Sequence, residues 1–109
     1  MLPKKNRLNR TEIEGLKSQK RNILQGRFFG LVFQKNPREK KFALIISKKT
    51  VAKATGRNKI KRLLYKSIEN NLFNIEGKFL FLAKKNCVTG KSEDFEKEMI
   101  FFKNIIKGY

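Results

Sequence analysis

The stretch from Thr55 to Asn70, TGRNKIKRLLYKSIEN, constrains the chain more than any other. Ile60, Leu63, Leu64, Ser67 and Ile68 recur at i, i+3, i+4, i+7 and i+8, the stripe of one helical face. At about 100° per residue, Lys59, Lys61, Arg62 and Lys66 project outside that stripe. Such a helix needs an apolar surface on one side and leaves its cations for an anion on the other. Thr55-Gly56 stands where an N-cap is expected.

Strands supply the apolar surface. RFFGLVFQ (27–34) and KFALIIS (41–47) are dense in aromatic and β-branched residues, and the Asn36-Pro37 turn chemistry between them predicts an antiparallel hairpin. KFLFLAK (78–84) reads as a third strand, after the loop signal NIEG. The nearly unbroken apolar character of the last two predicts cover on at least part of both faces. Upstream, Thr11 and Glu14 have capping-box spacing and open a short helix over about 11–19, with Ile13 and Leu16 inward. Residues 1–10 are polar and basic, carry Pro3, and read as an extended or mobile start. Ser92 caps a last helix over 92–107, where Glu93, Asp94 and Glu96 suit the positive end of the dipole. Phe95, Met99, Phe102 and Ile106 form its inward stripe. The order is α-β-β-α-β-α, an α+β class, and 109 residues make one domain spanning 1–109.

Charge narrows the partner. The chain carries 27 Lys+Arg against 9 Asp+Glu, net +18. Residues 91–109 hold four acids and four lysines and sum to zero, so the whole excess lies in residues 1–90. A basic body with a neutral C-terminal helix calls for a polyanion on one face. With no histidine there is no imidazole base and no histidine metal site, and one cysteine makes no zinc ribbon or internal disulfide. No catalytic residue, metal site or cofactor on the protein is therefore expected. The acids from Glu93 to Glu98 sit in the first turns of a helix, where the dipole accounts for them. The absence of a run of about 18 apolar residues, an opening without a secretory h-region and a lone thiol lead us to expect a cytoplasmic protein with no membrane partner.

Lys48, Lys49, Lys53, Arg57, Lys59, Lys61 and Arg62 crowd around one helix N-terminus, which adds free amides to the cations: a phosphate site. Alternation puts Phe29, Leu31 and Phe33 on one face of the first strand and Phe28, Gly30 and Val32 on the other. Strand aromatics serve either as core or, if the second face is partly open, as a groove where single-stranded nucleotides lie against Phe28 and Phe79.

The segment SKKTVAKATGRNKIKRLLYKSIE (47–69) resembles the signature region of the protein subunit of bacterial ribonuclease P, which shows Ser-Lys-Lys, then Lys-Ala, then Arg-Asn-Arg-x-Lys-Arg opening an amphipathic helix. Ser47, Lys48, Lys49, Lys53, Ala54, Arg57, Asn58, Lys61 and Arg62 match; Lys59 stands where the family usually has arginine, and Val51-Ala52 replaces a glycine with one residue extra. NRLNRTEIEGL, RFFGLVF and KFLFLAKK resemble the family's first helix, first strand and last strand. The resemblance implies a two-layer α/β sandwich of order α-β-β-(β)-α-β-α, with a small mixed sheet and a left-handed β-α-β crossover. It implies that Lys48, Lys49, Lys53, Arg57, Asn58, Lys59, Lys61 and Arg62 bind ribonuclease P RNA. Phe28, Val32, Phe79, Ile13 and Lys17 would line a cleft for the 5′ leader of precursor tRNA. The cleavage itself would belong to the RNA subunit and its Mg²⁺, and the isolated protein would be a monomer. A small ribosomal protein that binds rRNA structurally is the nearest alternative. A DNA-binding module lacks a helix-turn-helix pair, and a membrane-active protein lacks a wide apolar helix face.

Overall fold

The strands form where the sequence places them, but they do not pair as a hairpin. The structure, a computed structural model, describes residues 3–18 and 23–108. Its elements are α1 (Arg10–Lys17), β1 (Leu24–Gln25), β2 (Phe29–Gln34), β3 (Lys40–Ile45), α2 (Ala54–Asn71), β4 (Gly77–Ala83) and α3 (Ser92–Lys107). Short 3₁₀ turns lie at Lys4–Asn6 and Lys85–Thr89. The four-stranded mixed sheet has the order β1-β2-β4-β3. β4 runs between β2 and β3, antiparallel to the first and parallel to the second. The predicted hairpin is therefore split, and the Lys35–Glu39 link spans two strand spacings, about 10 Å. Burial explains the insertion: Phe79, Leu80 and Phe81 are all fully buried, which only a central strand covered on both faces provides.

Two local features admit β4. In the β2–β3 link, Arg38 adopts φ 69° and its amide donates to the Glu76 carboxylate. Gly77 enters the sheet at φ +147°, where a Cβ would lie 2.8 Å from the Gln34 carbonyl oxygen. Glycine is required there.

The parallel pairing of β3 with β4 demands a crossover, and α2 makes it. Ile60, Leu64, Tyr65 and Ile68 of α2, with Phe95, Met99, Phe102 and Ile106 of α3, cover the face formed by Phe29, Leu31, Phe42, Phe79 and Phe81. Each buried Phe or Leu contributes roughly 1.5–3 kcal/mol. On the opposite face Leu8 and Leu16 cover Val32, Ala43 and Leu80.

The helix caps depart from expectation. Asn9, not Thr11, opens α1: its side chain accepts from the Glu12 amide at 2.8 Å and Glu12 accepts from the Asn9 amide at 3.1 Å. Lys53 occupies the N-cap of α2, so Thr55 and Gly56 fall inside its first turn. Lys91 caps α3, where Asp94 accepts its amide at 2.9 Å and Ser92 is the first helical residue. α1 also ends at Lys17; the expected residue 19 lies outside the described residues.

Part of the N-terminal segment, read as extended or mobile, is joined to the sheet edge. Arg7 bridges Phe42 in parallel, the Leu8 amide donates to the Phe42 carbonyl, and Asn6 donates to the Lys40 carbonyl at 2.7 Å. Residues 1 and 2 of that expectation lie outside the described residues.

Two carboxylates hold the layers together. Glu98, which the sequence places in a dipole-directed acid cluster, instead accepts the amides of Arg27, Phe28 and Phe29 from the middle of α3. Glu12 receives the ammonium groups of Lys41 at 3.2 Å and Lys78 at 3.1 Å, tying α1 to β3 and β4. Burial pushes the Glu12 pKa up, but the Asn9 amide and the two lysines outweigh it, so the net shift is downward.

Replacing Glu98 by Ala strands the inward amides it holds and is expected to lower stability by roughly 3 kcal/mol in urea denaturation. Glu12→Gln is expected to cost about 1 kcal/mol at neutral pH. Because the native carboxyl titrates below its ordinary value, this contribution is complete above about pH 5 and is lost as the pH falls through the depressed native pKa. The wild-type and Gln denaturation midpoints should accordingly converge on acidification.

Candidate nucleic-acid interface

The β3–α2 connection builds a cationic corner. After Ile45 the chain closes a turn at Ser47–Thr50: the Thr50 amide donates to Ser47 Oγ at 3.2 Å, the Val51 amide to the Ser47 carbonyl at 3.0 Å, and the two hydroxyls lie 2.9 Å apart. Lys48 and Lys49 occupy the tip and are exposed. Val51 then tucks into the core at 8% exposure, and α2 begins three residues later.

No side chain caps that helix end and no acid stands in its first turn. Its free amides and positive dipole end are therefore open to an anion. Lys53 at the N-cap and Asn58 and Lys59 in the next turn are exposed, and Arg62 is exposed further along the helix. Among the described residues no ion pair engages Lys48, Lys49, Lys53, Lys59 or Arg62; the acids Glu12, Glu14 and Glu39 pair with Arg10, Lys41 and Lys78.

Two of the predicted RNA-binding residues are engaged within the fold. Arg57 is half-buried, and its Nη1 donates to the carbonyls of Val51 and Ala52 at 2.8 Å each. It braces the loop that carries Lys53. The ammonium of Lys61, also half-buried, sits 5.7 Å from the centroid of the Tyr65 ring. Tyr65 is itself buried, and burial raises its phenol pKa against the opposing charge of Arg7 and a hydrogen bond from the Leu44 backbone.

The five cleft residues do not share a surface. Phe79 is fully buried on the α2/α3 face, stacked with Phe42 at 5.2 Å. Its register explains this: Phe79 pairs with Phe33, whereas Val32 lies opposite Leu80. Phe28 precedes β2, so strand alternation does not govern it; the Glu98 grip turns it inward against Phe95 at 5.6 Å. Both aromatics are core. Val32 and Ile13 do lie on the α1 face, with Val32 nearly covered and Ile13 half-buried, and Lys17 is exposed at the end of α1. The half-buried residues beside them are Ile23, Ile45 and Leu82, which the sequence reading missed. The β4 register would have exposed the latter two, since Leu82 pairs with Gly30 and Ile45 with Leu82.

Among the described residues no three His, Cys, Asp or Glu side chains converge as a metal site requires. The Cys87 thiol is buried and its pKa is raised by that burial. Among the described residues no helix is long and apolar enough to cross a membrane.

This architecture has relatives. The Ribonuclease P family model matches residues 2–106. The chain belongs to the Ribonuclease P family. It is 36% identical over 58 residues to the ribonuclease P protein component of Aliivibrio fischeri, a match spanning 52% of this chain and half the length of that relative. The fold is similar to that of the Staphylococcus aureus RNase P protein, with a TM-score of 0.76, 17% identity and 94% and 95% of the two chains covered. The Thermotoga maritima RNase P protein matches at a TM-score of 0.74, 20% identity and 90% and 96% coverage.

The bracing role of Arg57 distinguishes it from its neighbours. Arg57→Lys should lower stability by about 1 kcal/mol and speed amide hydrogen exchange in residues 51–54, because Lys lacks the planar, rigidly held Nη1 whose two N–H groups reach both carbonyls. Arg62→Lys, at an exposed position, should change neither.

Proposed function

We propose that this chain is the protein component of a ribonuclease P ribonucleoprotein, binding the enzyme's RNA and aiding removal of the 5′ leader from precursor tRNA. The observation that carries the reading is the uncapped, acid-free N-terminus of α2, ringed by exposed Lys48, Lys49, Lys53, Asn58, Lys59 and Arg62, in a member of this family. Backbone phosphates of the partner RNA meet that corner, with Arg57 holding the loop in place and Lys61 at its margin. The leader lies along the α1 face of the sheet, against Ile13, Ile45 and Leu82, with Lys17 at the rim. Contacts to an aliphatic floor and a phosphate backbone carry little sequence information, which suits a leader of variable sequence. The chain offers no histidine and supplies binding, while the RNA with its Mg²⁺ performs the hydrolysis. The ribonucleoprotein works in the cytoplasm.

Reconstitution tests this. Purified protein, a bacterial ribonuclease P RNA and a labelled precursor tRNA are combined at low Mg²⁺, and leader release is followed. RNA-dependent cleavage strongly raised by the protein is the expected result. Folded protein that leaves competent RNA unstimulated, and instead co-sediments with ribosomal subunits, would replace the reading with structural rRNA binding.

A further inference from the structure

A second pocket lies away from the α2 corner, where α3 meets the β1–β2 turn. It is an open groove of about 330 Å³ lined by Gly26, Arg27, Phe28, Asp94 and Phe101, with Gln25, Lys97 and Glu98 completing it. That volume falls at the small end of ligand sites, roughly 300–1,000 Å³. Its wall is preformed. Glu98 holds the amides of residues 27–29, Lys84 donates to the Gly26 carbonyl at 2.6 Å, and Asn86 donates to the Arg27 carbonyl at 2.6 Å. A Cβ at Gly26 would come within 2.7 Å of Glu98 and Phe102, so the turn approaches α3 as closely as a backbone can. Little ordering is left for a ligand to impose.

The chemistry of the lining selects the ligand. Phe101 is 48% exposed, an uncommon setting for a large apolar ring in a protein so rich in charge. It lines the pocket together with Phe28, and the Arg27 guanidinium lies 5.2 Å from the centroid of the Phe28 ring. Arg27 and Lys97 are exposed at the rim, placed for a phosphate. Glu98 is occupied by three amides, whereas Asp94 uses one oxygen, Oδ2, on the Lys91 amide. Asp94 lines the pocket, and a carboxylate can accept more than that one hydrogen bond.

We propose that this pocket takes one unstacked nucleobase of an RNA strand, its ring against Phe101, its phosphate beside Arg27 and Lys97, and its exocyclic amino group donating to Asp94. An aromatic face tolerates any base, but in the pose that points the amino group of cytosine at the Asp94 carboxylate, uracil presents its O4 carbonyl to that carboxylate instead, acceptor against acceptor, and must shift to offer its N3–H. The site is independent of the α2 corner and of the cleft, and extends the RNA surface onto the charge-neutral helix.

The test is an amide NMR titration of the full chain with CMP and, separately, UMP. CMP should shift Gly26, Arg27 and Lys97 saturably, with UMP roughly tenfold weaker. Phe101→Ala, which removes an exposed ring and preserves the folded spectrum, should abolish those shifts while leaving any nucleotide shifts in α2 unchanged. Equal affinity for the two nucleotides would remove Asp94 from the recognition and overturn the proposal, as would shifts confined to the α2 corner. Concentration-dependent shifts at Ile100 and Phe101 without nucleotide would assign the patch to a second copy of the chain and likewise overturn it.

Discussion

The parallel pairing of β3 with β4 is the constraint on which the molecule depends. Parallel neighbours cannot be joined by a tight turn, so the chain must cross the sheet, and α2 is the element that crosses. The entry loop of α2 follows the C-terminal end of β3, with a closed turn at Ser47–Thr50 and Lys53 at the uncapped helix end. The apolar stripe of α2 meets Phe42, Phe79 and Phe81 on the sheet, and its cations are turned outward by the same geometry. Core and cationic surface are two faces of one helix.

Charge placement follows a division of labour. Acids are used where they hold elements together: Glu98 on the backbone of residues 27–29, Glu12 on two strand lysines, Glu96 on Asn70 and Asn71 between α2 and α3. None stands in the first turn of α2. A net +18 is costly to a folded chain through self-repulsion, and with the pairing acids elsewhere the N-terminal corner of α2 keeps its positive field.

Much of this is legible in the residues. The stripes of α2 and α3 follow a 3.6-residue period, and every inward position named for α3 is buried, because helix periodicity is local. The strands fall within two residues of their expected bounds for the same reason, apart from the two-residue β1. Their pairing is not legible: a hairpin between β2 and β3 is the locally cheapest arrangement, and only the burial demand of Phe79, Leu80 and Phe81 moves β4 between them. The errors at the site descend from that. Phe79 cannot be assigned to a face without the register, and strand alternation misplaces Phe28 because it stops one residue later, at the start of β2. The cations of α2 do form an outward set, but a sequence cannot say that Arg57 spends a nitrogen on Val51 and Ala52. In α1 the cap slips two residues, to Asn9, whose partner Glu12 is also held by Lys41 and Lys78 of the sheet, a contact that no local signal encodes.

The salt dependence of RNA binding tests the account at its centre. Affinity for ribonuclease P RNA is measured across a series of KCl concentrations for the wild type and for a Lys53/Lys59/Arg62 triple alanine variant. If these exposed cations meet phosphates, the slope of log K against log salt flattens by roughly 0.7–0.9 for each phosphate no longer neutralised. An unchanged slope in a folded variant would mean that the RNA does not lie against the N-terminus of α2.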